Sequence, residues 1–318
     1  MEKSESRYLI YDHNINYNLK YRMTDVAVRL LEKVYKARLN RSHPQSSKKK
    51  YEVSICAIFK NEAKYLREWV IFHQIIGIDH FYLYNNNSDD EYEKVLKPFV
   101  DQGIVDLIQF PYDHAQMKAY QDCIKNYKNE SSWIGFIDLD EFIVPIKFDN
   151  IKDFLKQFDN RPSVLLYWQL FGSSGLLDRD SDTLVTESFK CCWPKHDIIG
   201  KCFYNTKYDV DFGVPENSSL HHTFWGNYKG RNYPPVNFCD RPCIGTHHHV
   251  DTGDFPIQIN HYFTKSFQEY VEKTAKGDVY FVENPHNLDY FYKHENKCTS
   301  YDVSIFKYLI KLKREMQE

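Results

Sequence analysis

The pattern of apolar and polar positions changes character at Tyr51. From that point, short apolar runs rich in β-branched residues alternate with segments whose apolar positions recur at helical period. The predicted strands cover 53–59, 80–84, 104–110 and 133–137, and the predicted helices cover 62–76, 91–97 and 114–127. Alternation of this kind predicts an α/β fold with a mainly parallel sheet covered by helices. After Phe142 the pattern loosens, and an irregular C-terminal half is expected.

Two amphipathic segments flank this region. In the first, apolar positions recur at helical spacing at Ala27, Leu30, Leu31 and Val34. Thr24 or Asp25 is expected to cap that helix. The second segment, 304–314, is predicted to be a helix that docks on its own domain or contacts an anionic membrane surface. We therefore expect an N-terminal helical extension and linker over 1–50, a main domain over 51–280 and a C-terminal helical tail over 281–318.

Polar clusters follow three of the predicted strands. They occupy 60–62, 85–90 and 138–141. Ligands of open parallel sheets bind beyond the carboxyl ends of the strands. These three clusters, distant in sequence, are therefore expected to converge on one site.

The third cluster contains the acidic pair Asp138 and Asp140. At spacing i, i+2 in extended chain, both side chains project from one face. Two carboxylates about 4 Å apart repel by about 4 kcal/mol at an effective dielectric near 20. A divalent cation with hard oxygen ligands, Mn²⁺ or Mg²⁺, would relieve that repulsion. The alternative is that these are ordinary loop carboxylates in solvent.

Composition narrows the class of protein. The 318 residues carry a formal charge of −3 with no long basic run, which disfavours nucleic acid as a partner. No apolar run reaches the length of a membrane span, and the first residues do not form a signal peptide. Eight scattered cysteines favour reduced thiols. The expected location is cytoplasmic, with peripheral membrane contact left open.

A set of motifs across residues 52–277 resembles glycosyltransferase family 92. The matching segments are Ile58-Phe59-Lys60-Asn61-Glu62, Phe81-Tyr82-Leu83-Tyr84-Asn85-Asn86, Asp138-Leu139-Asp140-Glu141-Phe142, Phe171-Gly172-Ser173-Ser174-Gly175 and Ile259-Asn260-His261-Tyr262, with Lys201 and His221 between the last two. The resemblance implies a GT-A fold, a nucleotide-sugar donor, a manganese-type ion and an inverting mechanism. UDP-galactose is the donor best associated with the family, and the implied acceptor is a glycan or a lipid-linked sugar.

This resemblance, together with the positions of the polar residues, assigns roles. The predicted metal ligands are Asp138, Asp140 and His261. The predicted donor-binding residues are Asn61, Glu62, Asp89, Lys118, Asp138 and Lys265. Glu187 is the predicted catalytic base, with Asp178 and Asp197 as rivals, because inversion needs a group that takes the proton of the acceptor hydroxyl. The aromatic candidates for an acceptor platform are Trp168, Trp193, Trp225 and Tyr228.

Other readings of these residues remain open at this point. A haloacid-dehalogenase-type phosphatase also uses a D-x-D pair, but there the pair lies on the first strand. A non-catalytic carbohydrate-binding protein would need neither a metal nor a base. Cys239 and Cys243, followed by the histidines at 247–249, could in addition hold zinc, although their spacing fits no standard site.

Overall fold

The computed structural model describes residues 9–11, 15–45, 47–275 and 286–317. Its centre is an eight-stranded sheet. The strands are β1 (Tyr51–Phe59), β2 (His80–Asn85), β3 (Val105–Gln109), β4 (Ser131–Phe136), β5 (Glu141–Pro145), β6 (Ser163–Leu170), β7 (Gly200–Asn205) and β8 (Ile257–His261). Their spatial order is β3-β2-β1-β4-β7-β6-β8-β5.

Parallel pairing predominates in this sheet. The strands β3, β2, β1 and β4 run parallel to one another, and β6 runs parallel to β8. The strand β7 runs antiparallel to both β4 and β6, and β5 runs antiparallel to β8. The predicted α/β architecture with a mainly parallel sheet is confirmed.

Helices cover both faces of the sheet. They are α1 (Leu19–Leu39), α2 (Ala63–Ile75), α3 (Tyr92–Asp101), α4 (Gln116–Tyr127), α5 (Ile151–Leu155), α6 (Val185–Ser188), α7 (Phe267–Ala275), α8 (Leu288–Glu295) and α9 (Leu309–Glu315). Alternate side chains of β1 enter two different cores, because successive strand residues point to opposite faces. Ile55 packs with α2 and α3, whereas Cys56 packs with α4.

The remaining elements are short. Two-residue and three-residue strands lie at Ile10–Tyr11, Cys191–Cys192, His196–Asp197, Asp209–Val210, Gly226–Tyr228, Arg231–Tyr233 and Ser300–Tyr301. Single 3₁₀ turns lie at Lys156–Phe158, Pro215–Ser219 and Ser304–Tyr308. Between β7 and β8 the described chain forms only such short pieces, as the loss of periodicity predicts. The expected domain boundary at 280/281 falls outside the described residues.

The prediction that the helix over 91–97 ends before Pro98 is wrong. The helix α3 continues through it to Asp101. Proline removes one N–H from the helical ladder, which leaves the carbonyl four residues earlier, that of Lys94, without its partner. Both Pro98 and Lys94 are exposed, so water can reach that carbonyl, while Leu96 and Phe99 keep the inner face of the helix in the core.

The N-terminal helix differs from its prediction in cap and in orientation. It begins earlier than expected, and the Asn18 side chain caps it by accepting a hydrogen bond from the Tyr21 N–H at 3.1 Å. The apolar positions that predicted the helix point outward, since Leu30 and Val34 are exposed. Its buried positions are Val28, Glu32 and Leu39.

The C-terminal segment docks on its own domain. A 3₁₀ turn, Ser304–Tyr308, leads into α9, and Ile305, Tyr308 and Leu312 are buried in the same core as α2. This confirms the docked alternative. Within the described ranges, none of the helices is both long enough and apolar enough to span a bilayer.

The sequence Ser266-Phe267-Gln268-Glu269 predicts a capping box for a helix that ends near Gly277, and the capping box is present at the start of α7. The Ser266 N–H donates to Glu269 Oε2 at 3.1 Å, and the Glu269 N–H donates to Ser266 Oγ at 3.3 Å. The prediction that this helix ends near Gly277 lies outside the described residues.

We expect Ser266→Ala to lower the free energy of unfolding by about 1 kcal/mol, because an N-terminal donor of α7 loses its partner. Urea unfolding measures this change. Ser304→Ala is a matched control, since Ser304 Oγ has no hydrogen-bond partner among the described residues. Equal stabilities of the two variants would contradict a capping role for Ser266.

Candidate functional site

The acidic pair lies where β4 ends. Asp138 and Asp140 occupy the turn that joins β4 to β5, at the carboxyl end of the parallel strands. The two carboxylates face different partners. Ionisable groups gather at this edge of the sheet, and they form two distinct pairs.

The first pair joins Asp138 to Lys201. The Lys201 ammonium, from β7, donates to Asp138 Oδ2 at 2.6 Å, and its side chain is fully buried. Gln116 and Tyr120, from α4, each donate to Asp138 Oδ1 at 3.0 Å. Burial disfavours the charged form of the carboxylate, but Lys201 outweighs burial and holds the pKa of Asp138 below its ordinary value.

Glu141 lies on the other side of Lys201. Its Oε1 is 3.6 Å from the Lys201 ammonium, and its side chain is completely buried. Burial and the negative charges of the two aspartates raise the pKa of Glu141 well above its ordinary value, against the opposing effect of Lys201. The direction of this pKa shift reflects the cost of a third negative charge in this small volume.

The second pair joins Asp140 to His261. His261 ends β8, and its Nε2 lies 3.6 Å from Asp140 Oδ1. Lys273, from α7, contacts Asp140 Oδ2 at 2.5 Å. Although burial opposes it, the charge of Lys273 together with His261 holds the pKa of Asp140 well below its ordinary value. Burial lowers the pKa of His261, so its imidazole is neutral at neutral pH.

The arrangement of Asp140 and His261 meets some of the requirements of a divalent-ion site. Two donors bound to one ion at about 2.0–2.6 Å must lie within about 5 Å of each other, and the separation of Asp140 and His261 satisfies that limit. A carboxylate and a neutral imidazole suit Mn²⁺. Within the described ranges, three donor atoms from His, Cys, Asp or Glu come within 4.8 Å of one another only at His294, Glu295 and Cys298. Asp138 therefore does not complete a triad with Asp140 and His261 in this arrangement.

Hydrogen bonds connect the predicted donor-binding residues that follow β1 to those that follow β2. Asn61 Oδ1 accepts from the Asp89 N–H at 2.8 Å, and the Asn61 N–H donates to Ser88 Oγ at 2.9 Å. Capping of α2 comes from a residue that the sequence did not indicate, because the Ala63 N–H donates to Asp90 Oδ2 at 2.8 Å. The two loops thus form one connected rim.

Glu62 and Lys265 line a narrow cleft between α2 and α7. Lys273 lines the same cleft, which connects it to Asp140. The Lys265 ammonium lies 4.1 Å from the centre of the Tyr65 ring, and its backbone has φ of 51°. Burial lowers the pKa of Lys265, with Glu62 and Asp140 opposing.

Lys118 and Glu187 lie apart from these groups. Lys118 is exposed on α4 and donates to the Asp113 carbonyl at 3.3 Å. Glu187 lies on α6, and its carboxylate pairs with Lys313 of α9 at 2.5 Å. The structure does not bring Glu187 to the acidic pair, because α6 is anchored to α2 through Glu68. Its assignment as the base stays an untested prediction.

The two rival bases have local partners as well. Asp178 Oδ1 accepts from the Arg179 N–H at 2.8 Å on an exposed loop. Asp197 is buried, and its Oδ1 accepts from the Ile199 N–H at 2.9 Å. Neither contact connects to Asp138 or Asp140.

The Trp168 side chain packs beside the second pair. The Trp168 ring centre is 4.4 Å from that of His261 and 5.1 Å from that of His222. The indole N–H of Trp168 is buried and has no hydrogen-bond partner within the described part of the chain. Of the four aromatic residues proposed as a platform, Trp168 is the one that contacts His261. Trp193, in contrast, packs on His294, and Trp225 packs on Tyr35.

The side-chain contacts of the cysteine and histidine segment do not support a zinc site. His249 is held between Glu32 and Asp25 of α1, and Cys243 contacts the Tyr167 hydroxyl. All eight cysteines are free thiols, as composition predicts.

Comparison with known proteins identifies the family. The sequence model of glycosyltransferase family 92 matches residues 49–239, a span that includes Asp138, Asp140 and Lys201. A family 92 protein of Oryza sativa subsp. japonica is 30% identical over 119 residues, which is 37% of this chain and 20% of that protein.

Several relatives carry galactosyltransferase names. The Caenorhabditis elegans beta-1,4-galactosyltransferase galt-1 is 30% identical over 30% of this chain and 26% of its own length. The Arabidopsis thaliana galactan beta-1,4-galactosyltransferase GALS3 is 32% identical over 31% of this chain and 22% of its own length. The chain thus spans about a fifth to a quarter of the length of these relatives. Because the family match covers more than half of the chain, including the acidic pair, the protein belongs to glycosyltransferase family 92.

Proposed function

We propose that this protein is a hexosyltransferase that moves a sugar, galactose in the first instance, from a UDP-sugar to a hydroxyl of a glycan or lipid-linked sugar. The observation that carries the proposal is the Asp140–His261 pair beside the Lys201-bound Asp138 at the carboxyl edge of the sheet. The galactosyltransferase names of several relatives support the choice of sugar. The reaction is proposed to be metal-dependent and inverting.

In this proposal Asp140 and His261 hold Mn²⁺ or Mg²⁺. The bound ion supplies positive charge that stabilises the departing diphosphate. Lys201 keeps Asp138 ionised and oriented, so that Asp138 could accept hydrogen bonds from hydroxyls of the donor. Lys265 and Lys273 supply two further positive charges in the adjacent cleft, where phosphate oxygens need partners.

The loops after β1 and β2 and the Trp168 side chain are proposed to have separate roles. Asn61 and Asp89 hold the loops after β1 and β2 together, which positions Glu62 toward the nucleotide side of the cleft. The Trp168 indole offers an apolar face for a sugar ring and a buried N–H that lacks a partner within the described residues. These tasks belong to binding and orientation, which supply much of the rate enhancement in reactions of this kind.

A donor screen tests the proposal. Purified protein is incubated with Mn²⁺ and, in turn, UDP-galactose, UDP-glucose, UDP-N-acetylglucosamine and GDP-mannose, and nucleotide release is followed with and without a galactan acceptor. We expect UDP release that requires metal and is fastest with UDP-galactose. Binding of glycan without release from any donor would favour the carbohydrate-binding reading, and hydrolysis of p-nitrophenyl phosphate would favour the phosphatase.

The Lys273–Asp140 contact makes a distinct prediction about metal affinity. The Lys273 ammonium on Oδ2 offsets the negative charge of the carboxylate that would hold the metal, so removing that cation is expected to tighten metal binding. We expect Lys273→Met to lower the dissociation constant for Mn²⁺ by about tenfold, the scale of one partly buried charge pair. Isothermal titration without nucleotide measures it. Lys64→Met is the matched control, since Lys64 lines the same cleft but contacts Glu272. Unchanged or weaker Mn²⁺ binding in Lys273→Met would contradict a metal site at Asp140.

A further inference from the structure

The helix α1 presents an apolar stripe to solvent. The stripe consists of Leu19, Met23, Val26, Leu30 and Val34, which are 72%, 68%, 63%, 61% and 45% exposed. At about 100° per residue these side chains fall within an arc of about 80° on the side opposite the protein. Large apolar residues so concentrated on one exposed helix face mark an interaction surface. We refer to these five residues as the outer stripe.

The opposite face of α1 is fixed to the domain. Arg241 pairs with Glu32 at 2.7 Å, and His249 contacts both Glu32 and Asp25. Tyr21 stacks on His247 with ring centres 4.3 Å apart. Turning the outer stripe inward would break these contacts and expose a buried carboxylate, so the outward orientation of the stripe is set by the fold.

Positive charge borders the outer stripe on both sides. At helical spacing, one border carries Arg22 and Lys33, and the other carries Lys20 and Arg38, whereas the nearby Arg29 pairs with Asp25 at 3.1 Å. The acidic residues of the helix, Asp25 and Glu32, are the ones that face His249. The outward half of α1 therefore combines apolar and basic side chains and carries no acidic one.

We propose that α1 lies in the plane of an anionic lipid membrane, with the outer stripe inserted among the acyl chains and its basic borders at the head groups. An amphipathic helix with Lys and Arg beside a large apolar face binds lipid surfaces in this way. Each border cation near an anionic surface adds to the attraction. The inference concerns where the domain docks and does not rest on the transferase reaction.

A second copy of the chain fits this surface less well. Pairing two outer stripes would bring the basic borders of both helices side by side, and like charges so placed are destabilising. A bilayer with anionic head groups is complementary to both the stripe and its borders. The C-terminal helix has no comparable face, because Leu312 and the preceding Ile305 and Tyr308 are buried.

Flotation with vesicles tests the proposal on the whole 318-residue chain. One set of vesicles contains phosphatidylcholine alone, and the other adds about 30% phosphatidylglycerol to give a surface charge of the physiological sign. We expect binding to the anionic vesicles to be stronger by at least about tenfold. The double variant Met23→Asp/Leu30→Asp should lose that binding by about tenfold or more. Ile310→Asp, which places the same charge at an exposed apolar position of α9, should bind like the wild type.

A second variant separates charge from apolar insertion. Arg22→Glu/Lys33→Glu leaves the outer stripe intact and should remove the preference for anionic vesicles. If Met23→Asp/Leu30→Asp unfolds, this charge variant still tests the proposal. Equal binding of the wild type to both vesicles would overturn the proposal. So would loss of binding in Ile310→Asp alone, or a dimer in sedimentation velocity that the Met23→Asp/Leu30→Asp variant abolishes while vesicle binding is absent.

Discussion

Asp140→Asn is expected to reduce metal-dependent sugar transfer by at least about 100-fold, the scale on which removal of a group that stabilises transition-state charge acts. The carboxylate of Asp140 has His261 and Lys273 as its neighbours, and an amide cannot supply the same negative charge to an ion between them. Steady-state rates at saturating Mn²⁺ and UDP-galactose measure the effect.

The folded state of this variant should persist. Asn keeps the size of the side chain, and the backbone carbonyl of Asp140 still accepts from the Tyr262 N–H at 2.8 Å. Asp182→Asn, at an exposed loop position, is the matched control and should retain full activity. Transfer by the Asp140 variant within a few-fold of the wild type would remove Asp140 from the proposed metal site.

Lys201→Met is expected to lower both stability and activity. It removes the buried cation that Asp138 and Glu141 share, and breaking one partner of a buried ion pair costs about 3–5 kcal/mol. Without Lys201, burial dominates, and the pKa of Asp138 moves from below its ordinary value to above it.

Because the pKa shift of Asp138 reverses its sign in Lys201→Met, the loss of stability in this variant depends on pH. In the wild type the depressed pKa of Asp138 contributes stability above the unfolded value of about 3.9, and that stability is lost as pH falls through the folded pKa. In the variant the raised pKa costs stability at neutral pH, and the cost is relieved as pH falls. The stability gap between the two proteins should therefore narrow from pH 8 to pH 5.

Urea unfolding at both pH values measures that gap. Lys118→Met, which removes an exposed lysine, should change stability by less than about 0.5 kcal/mol at either pH. A gap for Lys201→Met that is under about 1 kcal/mol, or that does not change with pH, would contradict the role assigned to the buried lysine.

The sequence was sufficient for the α/β core and for the position of the acidic pair. Both rest on local signals, since a buried strand in a parallel sheet is a continuous apolar run, and Asp138 and Asp140 follow one directly. The capping box at Ser266 is equally local. The prediction that α3 stops at Pro98 failed because packing of Leu96 and Phe99 outweighs the loss of one hydrogen bond whose acceptor faces solvent.

The partners of the acidic pair could not be found in the same way. Lys201 and Lys273 reach Asp138 and Asp140 from positions 63 and 133 residues away, and no spacing rule connects them. For Lys201 a signal did exist, because a lysine within the otherwise apolar start of β7 must be buried with a counter-charge. His222, which packs on Trp168, offered no such signal.

The face of α1 shows a different limit of sequence patterns. Helical spacing of Leu30 and Val34 correctly predicts a helix, but the pattern does not say whether the apolar side meets the core or another apolar phase. Here Glu32 and its partners His249 and Arg241 hold the polar side inward. That outcome depends on charges more than 200 residues away in the chain.

The proposed function depends most on a metal ion held by Asp140 and His261. Electron paramagnetic resonance of Mn²⁺ in the presence of UDP tests this metal site directly. The wild type is expected to bind one Mn²⁺ with a nitrogen hyperfine coupling from the His261 imidazole. That coupling should disappear in His261→Ala, with weaker binding, and Asp140→Asn should lose most of the bound ion. A wild-type spectrum without nitrogen coupling, or one that His261→Ala leaves unchanged, would contradict the proposed metal site.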